Sequence, residues 1–394
     1  MQHLIKRFVA AGGSFAVASM LLPATMTPLS AAANVDASTT FAVTELERIS
    51  GEDRYETAVN ISQEVFDTDH SLPYAVVVSG ETHPDALAAG PLARLKGGPL
   101  LLVTRDTLPQ GTADELDRVL KTNIVATGVQ AQTGSQTGPA AKVIIVGGES
   151  AVSMEVEDAI KAIREEGDIE TMRIEGADRY DTALNVALYM DQVRGGESSK
   201  WAFLANGDAY PDAMAASAIA SNKLICDDLI PILLTREDEL PASTATYLGQ
   251  VALTTGSTPT VPKLEKVFVL GGEARVSQDI VDYLDMFVQD VERIAGPNRF
   301  GTASNLAETF FGVTNPPSNI GVARGDDFAD ALAAGPFMGK KNGPMLLVEP
   351  EVVPDETYAY VLGHKDDILG GWVLGGTNAV SDGVKSAIEA VYLD

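Results

Sequence analysis

The chain has 394 residues, of which 45% are hydrophobic and 21% charged, a composition typical of a globular protein with two to four domains. Its net charge of −27 opposes binding to nucleic acid phosphates, so nucleic acid is not an expected partner. The single cysteine, Cys226, excludes an intramolecular disulfide and a cluster of thiolate metal ligands.

The first 33 residues have the pattern of a secretory signal peptide. Lys6 and Arg7 precede an apolar run over 8–22, and three alanines at 31–33 provide a cleavage site. The apolar run is interrupted by glycines and is short for a membrane span. We therefore expect an exported protein without a membrane anchor, with a short leader over 34–45.

A segment of eight residues occurs three times in the chain. It reads RISGEDRY from Arg48, RIEGADRY from Arg173 and RIAGPNRF from Arg293, at spacings of 125 and 120 residues. Thr-Ala and a helical pattern follow each copy. A period this long corresponds to a whole domain and not to one turn of a solenoid. The sequence therefore predicts three copies of one unit, which we call repeat 1 (46–168), repeat 2 (169–288) and repeat 3 (289–394).

Strand and helix patterns alternate within repeat 1. Strands are predicted at 46–50, 74–78, 98–103 and 143–148, and the last three are continuous apolar runs of the kind buried on both faces. Helices are predicted at 53–66, from Asp85, at 112–120 and at 153–163. Asp53 is expected to be the N-cap of the first helix, and Glu115 is expected to face water.

The same order recurs in the other two repeats, and it favours parallel sheets built from strand–helix–strand units. The predicted fold class is α/β, with three tandem Rossmann-like or flavodoxin-like units. Alanine-rich segments at 86–89, 213–220 and 331–334 predict helix faces that pack closely near a shared axis. Two polar connections, at 121–140 and 249–262, are expected to be surface loops.

Polar residues recur at two strand-to-helix turns of every repeat. The first turn has an Asp or Asn followed by an arginine and a threonine, and the second turn has an aspartate. The twelve candidate ligand-binding residues are Asp53, Arg54, Thr57, Asp85, Asp178, Arg179, Thr182, Asp212, Asn298, Arg299, Thr302 and Asp330. Ligands of open parallel sheets bind at the C-terminal ends of strands, and arginine makes bidentate contacts to carboxylate or phosphate. Two roles stay open: contact with an anionic polymer, or helix caps and ion pairs between repeats.

The sequence contains no recognisable catalytic or cofactor motif. It has no His-x-x-x-His zinc pair, no Gly-x-Ser-x-Gly elbow and no nucleotide-binding glycine motif. His83, Tyr210 and Phe328 stand at equivalent positions, which suggests a shared aromatic surface and not a catalytic base. We therefore expect no catalytic residue, no cofactor and no metal, while the abundant carboxylates leave a hydrolase as a minor alternative.

These motifs resemble those of the cell wall binding repeat 2 family of Gram-positive surface proteins. The resemblance rests on Arg-Ile-x-Gly-x-[Asp/Asn]-Arg-[Tyr/Phe]-x-Thr-Ala, on Pro-Asp-Ala-Leu-Ala-Ala, on Pro-Leu-Leu-Leu-Val and on the Gly-Gly-Glu strand end, in this order over 46–391. It implies three repeats packed with pseudo-threefold symmetry that hold an exported protein in the wall non-covalently. Repeat 3 departs from the pattern at Asn298, Phe300 and Ala329, so it is the copy in which we least expect ligand binding.

The sequence and this resemblance together predict a secreted, non-catalytic cell wall binding protein made of three repeats, and the few residues outside the repeats lead us to expect no effector domain. Its expected partner is a wall polymer, either an anionic glycopolymer or one associated with peptidoglycan, and three weak sites would add by avidity. The alternative is a surface scaffold that binds another exported protein.

Overall fold

The structure is a computed structural model that describes residues 45–83, 85–121, 140–165, 168–197, 199–226, 228–249, 264–327 and 329–392. The signal-like segment, the leader and most of the two polar connections lie outside these residues. No helix in the described part of the chain is both long and apolar enough to cross a membrane.

Strands and helices alternate along the described chain, as predicted. The strands are β1 (Glu47–Ile49), β2 (Tyr74–Ser79), β3 (Leu100–Val103), β4 (Ala141–Val146), β5 (Ile169–Ile174), β6 (Trp201–Asn206), β7 (Ile232–Thr235), β8 (Lys266–Leu270), β9 (Asp290–Ile294), β10 (Asn319–Arg324), β11 (Met345–Val348) and β12 (Gly370–Leu374). The helices are α1 (Arg54–Val65), α2 (Ala89–Lys96), α3 (Gln110–Val119), α4 (Met154–Lys161), α5 (Arg179–Val193), α6 (Tyr210–Ala220), α7 (Ala242–Tyr247), α8 (Gln278–Leu284), α9 (Arg299–Phe310), α10 (Ala329–Lys341), α11 (Asp355–Gly363) and α12 (Asp382–Val391).

The strands form three parallel four-stranded sheets whose edge strands are exchanged between repeats. Their orders are β3-β2-β4-β5, β7-β6-β8-β9 and β11-β10-β12-β1. The first strand of repeat 2 therefore pairs with the sheet of repeat 1, and the first strand of repeat 3 pairs with that of repeat 2. β1 completes the sheet of repeat 3, with Arg48 opposite Val373. The exchanged strands therefore join the three repeats into a closed ring.

Each sheet is covered by apolar side chains on both faces, which explains the continuous apolar runs of its inner strands. In β2, Val76 and Val78 contribute to a core that contains residues of all three repeats. Ala75 and Val77, which point to the opposite face, contribute to a separate outer core of repeat 1. The other two repeats have equivalent outer cores.

The helices α2, α6 and α10 pack against one another on the inner side of the sheets, which confirms the close packing predicted for the alanine-rich segments. Gly90, Ser217 and Gly335 stand at equivalent positions of these helices. A Cβ atom placed on Gly90 or on Gly335 would lie 2.1 Å from Oγ of Ser217. The lack of side chains at Gly90 and Gly335 therefore leaves the space that the side chain of Ser217 occupies.

Two local predictions are wrong. Glu115 does not face water: it is 1% exposed, and both of its carboxylate oxygens accept hydrogen bonds from Arg118 at 2.7 Å. This pairing within one helical turn is what allows a charge to be buried there. The α-helix expected from Asp85 begins only at Ala89, after a 3-10 turn at Ala86–Ala88.

Candidate functional site

The repeated segment ends in a capped helix start in all three repeats. Oδ1 of Asp53 accepts hydrogen bonds from the backbone N–H groups of Tyr55 and Glu56, both at 2.9 Å. Asp178 caps α5 in the same way, and Asn298 caps α9 through one such bond. The predicted N-cap role of Asp53 is therefore confirmed, and Asn298 shows that an amide can fill the same role.

The threonine of each segment is buried and holds the turn together. Oγ1 of Thr57 donates to the carbonyl oxygen of Asp53 at 3.0 Å and accepts from the N–H of Gly51 at 3.1 Å. Thr182 makes both equivalent bonds, and Thr302 accepts the equivalent glycine bond. The threonines are 1–3% exposed, so their hydroxyl groups lie at the base of the turn and not on the surface.

Sequence reasoning missed a set of asparagines that supports this turn. The side-chain amides of Asn60, Asn185 and Asn305 each donate to a backbone carbonyl ten residues earlier, at 2.7–2.8 Å. The signal was available, because these asparagines recur at the same spacings of 125 and 120 residues as the arginines.

The first arginine of each segment crosses to the preceding repeat. Nη1 of Arg48, Arg173 and Arg293 donates to the carbonyl oxygens of Gly375, Gly147 and Gly271, respectively, at 2.8–2.9 Å. These glycines follow β12, β4 and β8 and have φ values of 90–117°, which a side chain would strain. The first arginine thus fastens an exchanged edge strand to the glycine turn of its partner sheet.

The second arginine of each segment donates to a backbone carbonyl of its own repeat. Nη1 of Arg54, Arg179 and Arg299 donates to the carbonyl oxygens of Gly80, Gly207 and Gly325, respectively, at 2.7–2.8 Å. These glycines follow β2, β6 and β10. Their lack of a side chain is required, because a Cβ atom would lie 2.7–2.9 Å from the ring of the adjacent Tyr55, Tyr180 or Phe300.

The ion pairs of these three arginines differ. Nη1 of Arg179 lies 2.6 Å from Oδ1 of Asp208, and Nη2 of Arg54 lies 3.6 Å from Oδ2 of Asp327. Their side chains are 32% and 34% exposed, respectively. Within the described ranges, Arg299 forms no ion pair with a carboxylate.

The aspartate of each second turn meets the threonine and the second arginine of the following repeat. Asp85 lies beside Thr182 and Arg179. Asp212 lies near Thr302 and Arg299 in the same way, and Asp330 lies near Thr57 and Arg54. The twelve predicted residues are thus brought together as three equivalent groups, each at a boundary between repeats.

These aspartates are not helix caps, contrary to one of the two roles that the sequence left open. Asp85 makes no capping hydrogen bond, and Asp212 and Asp330 lie inside the first turns of α6 and α10. Burial raises the pKa of Asp212 to about 6, and the charge of Arg275, the Thr302 hydroxyl and the charge of Arg299 offset only part of that effect.

Burial also raises the pKa of Asp85 and of Asp330. At Asp85 the Thr182 hydroxyl and the charge of Arg179 oppose the shift, and at Asp330 the nearby charge of Asp327 adds to it. All three carboxyl groups therefore hold a proton more readily than an exposed aspartate does.

Open clefts lie over two of these groups. The cleft between repeats 3 and 1, called cleft 3/1, has a volume of about 470 Å³ and is lined by three arginines and four carboxylates: Arg48, Arg54, Arg324, Glu52, Asp53, Asp327 and Asp330. The cleft between repeats 2 and 3, called cleft 2/3, has a similar volume of about 470 Å³, and its charged lining residues are Arg275, Arg299 and Asp212. Both clefts are large enough for one sugar or phosphate unit of a polymer.

Two members of the predicted aromatic set lie together. The rings of His83 and Tyr210 are 4.8 Å apart between centroids, and Tyr210 donates its hydroxyl proton to the carbonyl oxygen of Asp326 at 2.7 Å. Burial lowers the pKa of His83. Phe328, the third member, lies outside the described residues. The described part of the chain contains no group of three or more His, Cys, Asp or Glu side chains that could hold a metal ion.

The repeats match a known family along most of the chain. The model of Cell wall binding domain 2 (CWB2) matches residues 48–157, 173–281 and 293–385. This chain belongs to the CWB2 family. The three matched segments confirm the three tandem repeats predicted from the sequence. Membership of this family identifies the chain as a cell wall binding protein.

Relatives with known names are longer than this chain. It is 29% identical over 362 residues to the N-acetylmuramoyl-L-alanine amidase LytC of Bacillus subtilis (strain 168), covering 90% of this chain and 62% of the relative. It is 25% identical over 323 residues to the amidase enhancer of the same organism, covering 80% of this chain and 37% of the relative.

Solved structures share the fold. Cwp6 from Clostridium difficile superposes with a TM-score of 0.73 at 25% identity, over 89% of this chain and 48% of that chain. Cwp8 from the same organism superposes with a TM-score of 0.72 at 27% identity, over 89% of this chain and 52% of that chain. The α/β class with three parallel-sheet units is therefore confirmed, and this chain spans about half of each solved relative.

Proposed function

We propose that this chain is an exported, non-catalytic protein that attaches non-covalently to a wall polymer through the clefts between its CWB2 repeats. The observation that carries the proposal is that a partly exposed arginine of one repeat and an aspartate of the preceding repeat lie at the same boundary in all three copies. These boundaries lie beyond the C-terminal ends of parallel strands, where open α/β sheets bind their ligands.

The second arginines are suited to contact an anionic group. A backbone carbonyl holds Nη1 of each guanidinium in place, while about a third of the side chain of Arg54 and of Arg179 remains exposed to solvent. A guanidinium that is already oriented loses little conformational freedom when it binds a phosphate or a carboxylate. Such local positive groups are needed, because a chain of net charge −27 repels an anionic polymer.

The twelve candidate residues take two roles in this proposal. Arg54, Arg179, Arg299 and the three aspartates of the second turns contact the polymer. The caps and the threonines position the turn, because their polar atoms already bond to the backbone.

The alternative is a surface protein that binds another exported protein. One observation favours it: a relative is named as an amidase enhancer, and this chain spans 37% of that relative. A protein partner would recognise the surface of the repeats without requiring the polymer.

Retention on purified cell walls distinguishes the two functions. We expect the protein to sediment with intact walls and with protease-treated walls, and to lose retention once the anionic polymers are stripped. Retention that survives stripping but disappears after protease treatment would instead establish the alternative. Incubation with wall fragments is expected to release no product, and release that a single carboxylate substitution abolishes would show that the protein is a hydrolase.

The variant Arg179→Ala tests the proposed contact. We expect weaker wall retention with a loss of stability of only about 1 kcal/mol, since the side chain is one-third exposed and its ion pair with Asp208 is screened by solvent. Thermal unfolding and wall retention are measured on the same preparation. A loss of about 3–5 kcal/mol with unchanged retention of the folded fraction would show a purely structural arginine.

A further inference from the structure

The three boundaries between repeats differ at one position of the glycine turn. Arg275 follows Gly271 by four residues, and the equivalent positions after Gly147 and Gly375 are Ala151 and Ala379. The backbone geometry is the same in all three, because the Cβ atom at this position lies 3.1–3.2 Å from the Cβ position of the first glycine. Repeat 2 therefore places an additional cation in a turn that the other repeats build with alanine.

The cap position adds a second difference. Asn298 replaces the Asp53 and Asp178 of the other repeats, so the cap residue of α9 is neutral, whereas the cap residues of α1 and α5 are carboxylates. Asn298 still caps its helix, and its Nδ2 donates to Oε1 of Glu356 at 2.8 Å.

Among the residues that the structure describes, no carboxylate forms an ion pair with the arginines of cleft 2/3. Arg275 is exposed, and its guanidinium forms no hydrogen bond or ion pair with the described residues. Arg299 donates to the carbonyl oxygen of Gly325 and to no other atom of the described residues. In cleft 3/1, by contrast, every lining arginine is in an ion pair: Arg48 with Asp382, Arg54 with Asp327 and Arg324 with Asp326.

We propose that cleft 2/3 is the principal anion subsite of this protein, and that Arg275 and Arg299 bind one phosphodiester or carboxylate group of the wall polymer there. The inference rests on the proposed wall-binding function and adds which of the three boundaries recognises the charge. It reverses the expectation that repeat 3 binds ligand least, because the replacement of Asp by Asn, which breaks the motif, makes its cleft more positive.

The electrostatic argument depends on which charges an incoming anion meets. In cleft 2/3 it meets two guanidinium groups that are in no ion pair with the described residues and one buried carboxyl group, Asp212, while Glu356 lies behind the lining residue Asn298. In cleft 3/1 it would have to displace Asp327 from Arg54 and would approach Glu52 and Asp53. Charge-assisted bonds to guanidinium are strong only where the guanidinium is not already satisfied by another anion.

Substitution of Arg275 by alanine tests this assignment without endangering the fold, because alanine is the native residue at both equivalent turns. The probes are poly(glycerol phosphate) oligomers and oligogalacturonate, titrated calorimetrically at low salt. We expect Arg275→Ala to raise the Kd of at least one probe about tenfold. If Arg275→Ala weakens binding of the glycerol phosphate oligomers alone, the group bound in the cleft is a phosphodiester. If it weakens binding of oligogalacturonate alone, the group is a carboxylate.

Two further variants control the experiment. Lys223→Ala removes the same charge from an exposed position beyond the opposite end of α6, and we expect its Kd to stay within about twofold of the wild-type value. Ala379→Arg copies the cation into cleft 3/1 and is expected to add binding. Three results would overturn the assignment. Arg275→Ala could keep the wild-type affinity, or Arg275→Ala and Lys223→Ala could lose equal affinity. The third is a wild-type protein that walls retain but that binds neither probe. Absence of wall retention in the wild type would instead refute the proposed function itself.

Discussion

The two arginines of the repeated segment have different roles although only five residues separate them. The first is mostly buried and bonds to the preceding repeat, whereas the second stays partly exposed at the edge of a cleft. Both arginines donate to a backbone carbonyl oxygen, but about a third of the second side chain remains exposed, against 11–17% of the first. The segment is therefore both a fastener between repeats and a candidate binding element.

The first arginines can be compared directly. Arg173 and its partner Glu157 are 11% and 12% exposed, and Arg173 also donates to two backbone carbonyls. Arg48 is paired with Asp382, which is 77% exposed. We expect Arg173→Ala to lower the free energy of unfolding by about 2 kcal/mol, because Glu157 loses a charged hydrogen-bond donor and keeps only Lys161 as an ion-pair partner. The matched variant Arg48→Ala should cost about 1 kcal/mol.

Urea denaturation of the two variants decides this comparison. Equal losses of stability would mean that burial of the partner carboxylate does not determine the role of the first arginine.

Asp212 should make stability depend on pH. Its pKa is about 6 in the folded protein against an ordinary value of 3.8, so the fold favours the protonated form. This contribution is fully present below pH 3.8 and is lost as pH rises through about 6. The charged and titratable groups that face Asp212 are Arg275 and Arg299, which carry charge throughout this range.

The pH effect is isolated by comparison with Asp212→Asn. Between pH 4 and pH 7.5 we expect the wild type to lose on the order of 2–3 kcal/mol relative to this variant. Chemical denaturation of both proteins at several pH values measures the difference. A constant difference across that range would show that Asp212 titrates normally.

At the scale of elements, the packing of α2, α6 and α10 depends on one side chain fitting between two glycines. We expect Gly90→Ala to destabilise the fold by about 1–3 kcal/mol, because the new methyl group would lie 2.1 Å from Oγ of Ser217. Combining it with Ser217→Ala should restore stability, since the Cβ of residue 217 lies at an ordinary contact distance of 3.5 Å.

Gly111→Ala in α3 is the matched control. No atom lies within 4 Å of its added Cβ, so this change should stabilise the helix by up to about 1 kcal/mol. Thermal unfolding of the three variants is sufficient. Failure of Ser217→Ala to rescue Gly90→Ala would show that the clash at the axis is not the cause.

Most elements could be predicted from the sequence because each sheet is buried on both faces. Apolar runs such as 74–78 therefore marked strands directly, and the cap at Asp53 marked a helix start. The burial of Glu115 could not be predicted, because a charged residue on a helix is expected to face solvent unless its ion-pair partner is known. Arg118 supplies that partner only in the folded helix.

The site could be predicted only in part, for a topological reason. The composition of β1, β5 and β9 is the same whichever sheet they join, so their exchange between repeats left no signal in the sequence. Asp85 and Thr182 are 97 residues apart and meet only because of that exchange. The sequence thus predicted the twelve residues as candidates but not their grouping across repeats, and it did not show that Arg275 lies in one cleft with Asp212 and Arg299.

At the scale of the whole molecule, the exchanged strands close a ring. Every sheet contains a strand from another repeat, including β1, which joins residues more than 300 positions away. Each boundary is built from two repeats, so a cleft at a boundary exists only in the assembled ring. The proposed binding between repeats therefore requires the folded ring.

The most direct test of binding between repeats is a crystal structure of the protein with fragments of the wall polymer. We predict density for the polymer at the boundaries between repeats, in contact with second arginines and strongest beside Arg275 and Arg299. Density confined to the outer helices or to the N-terminal ends of the strands, with the clefts empty, would contradict the account.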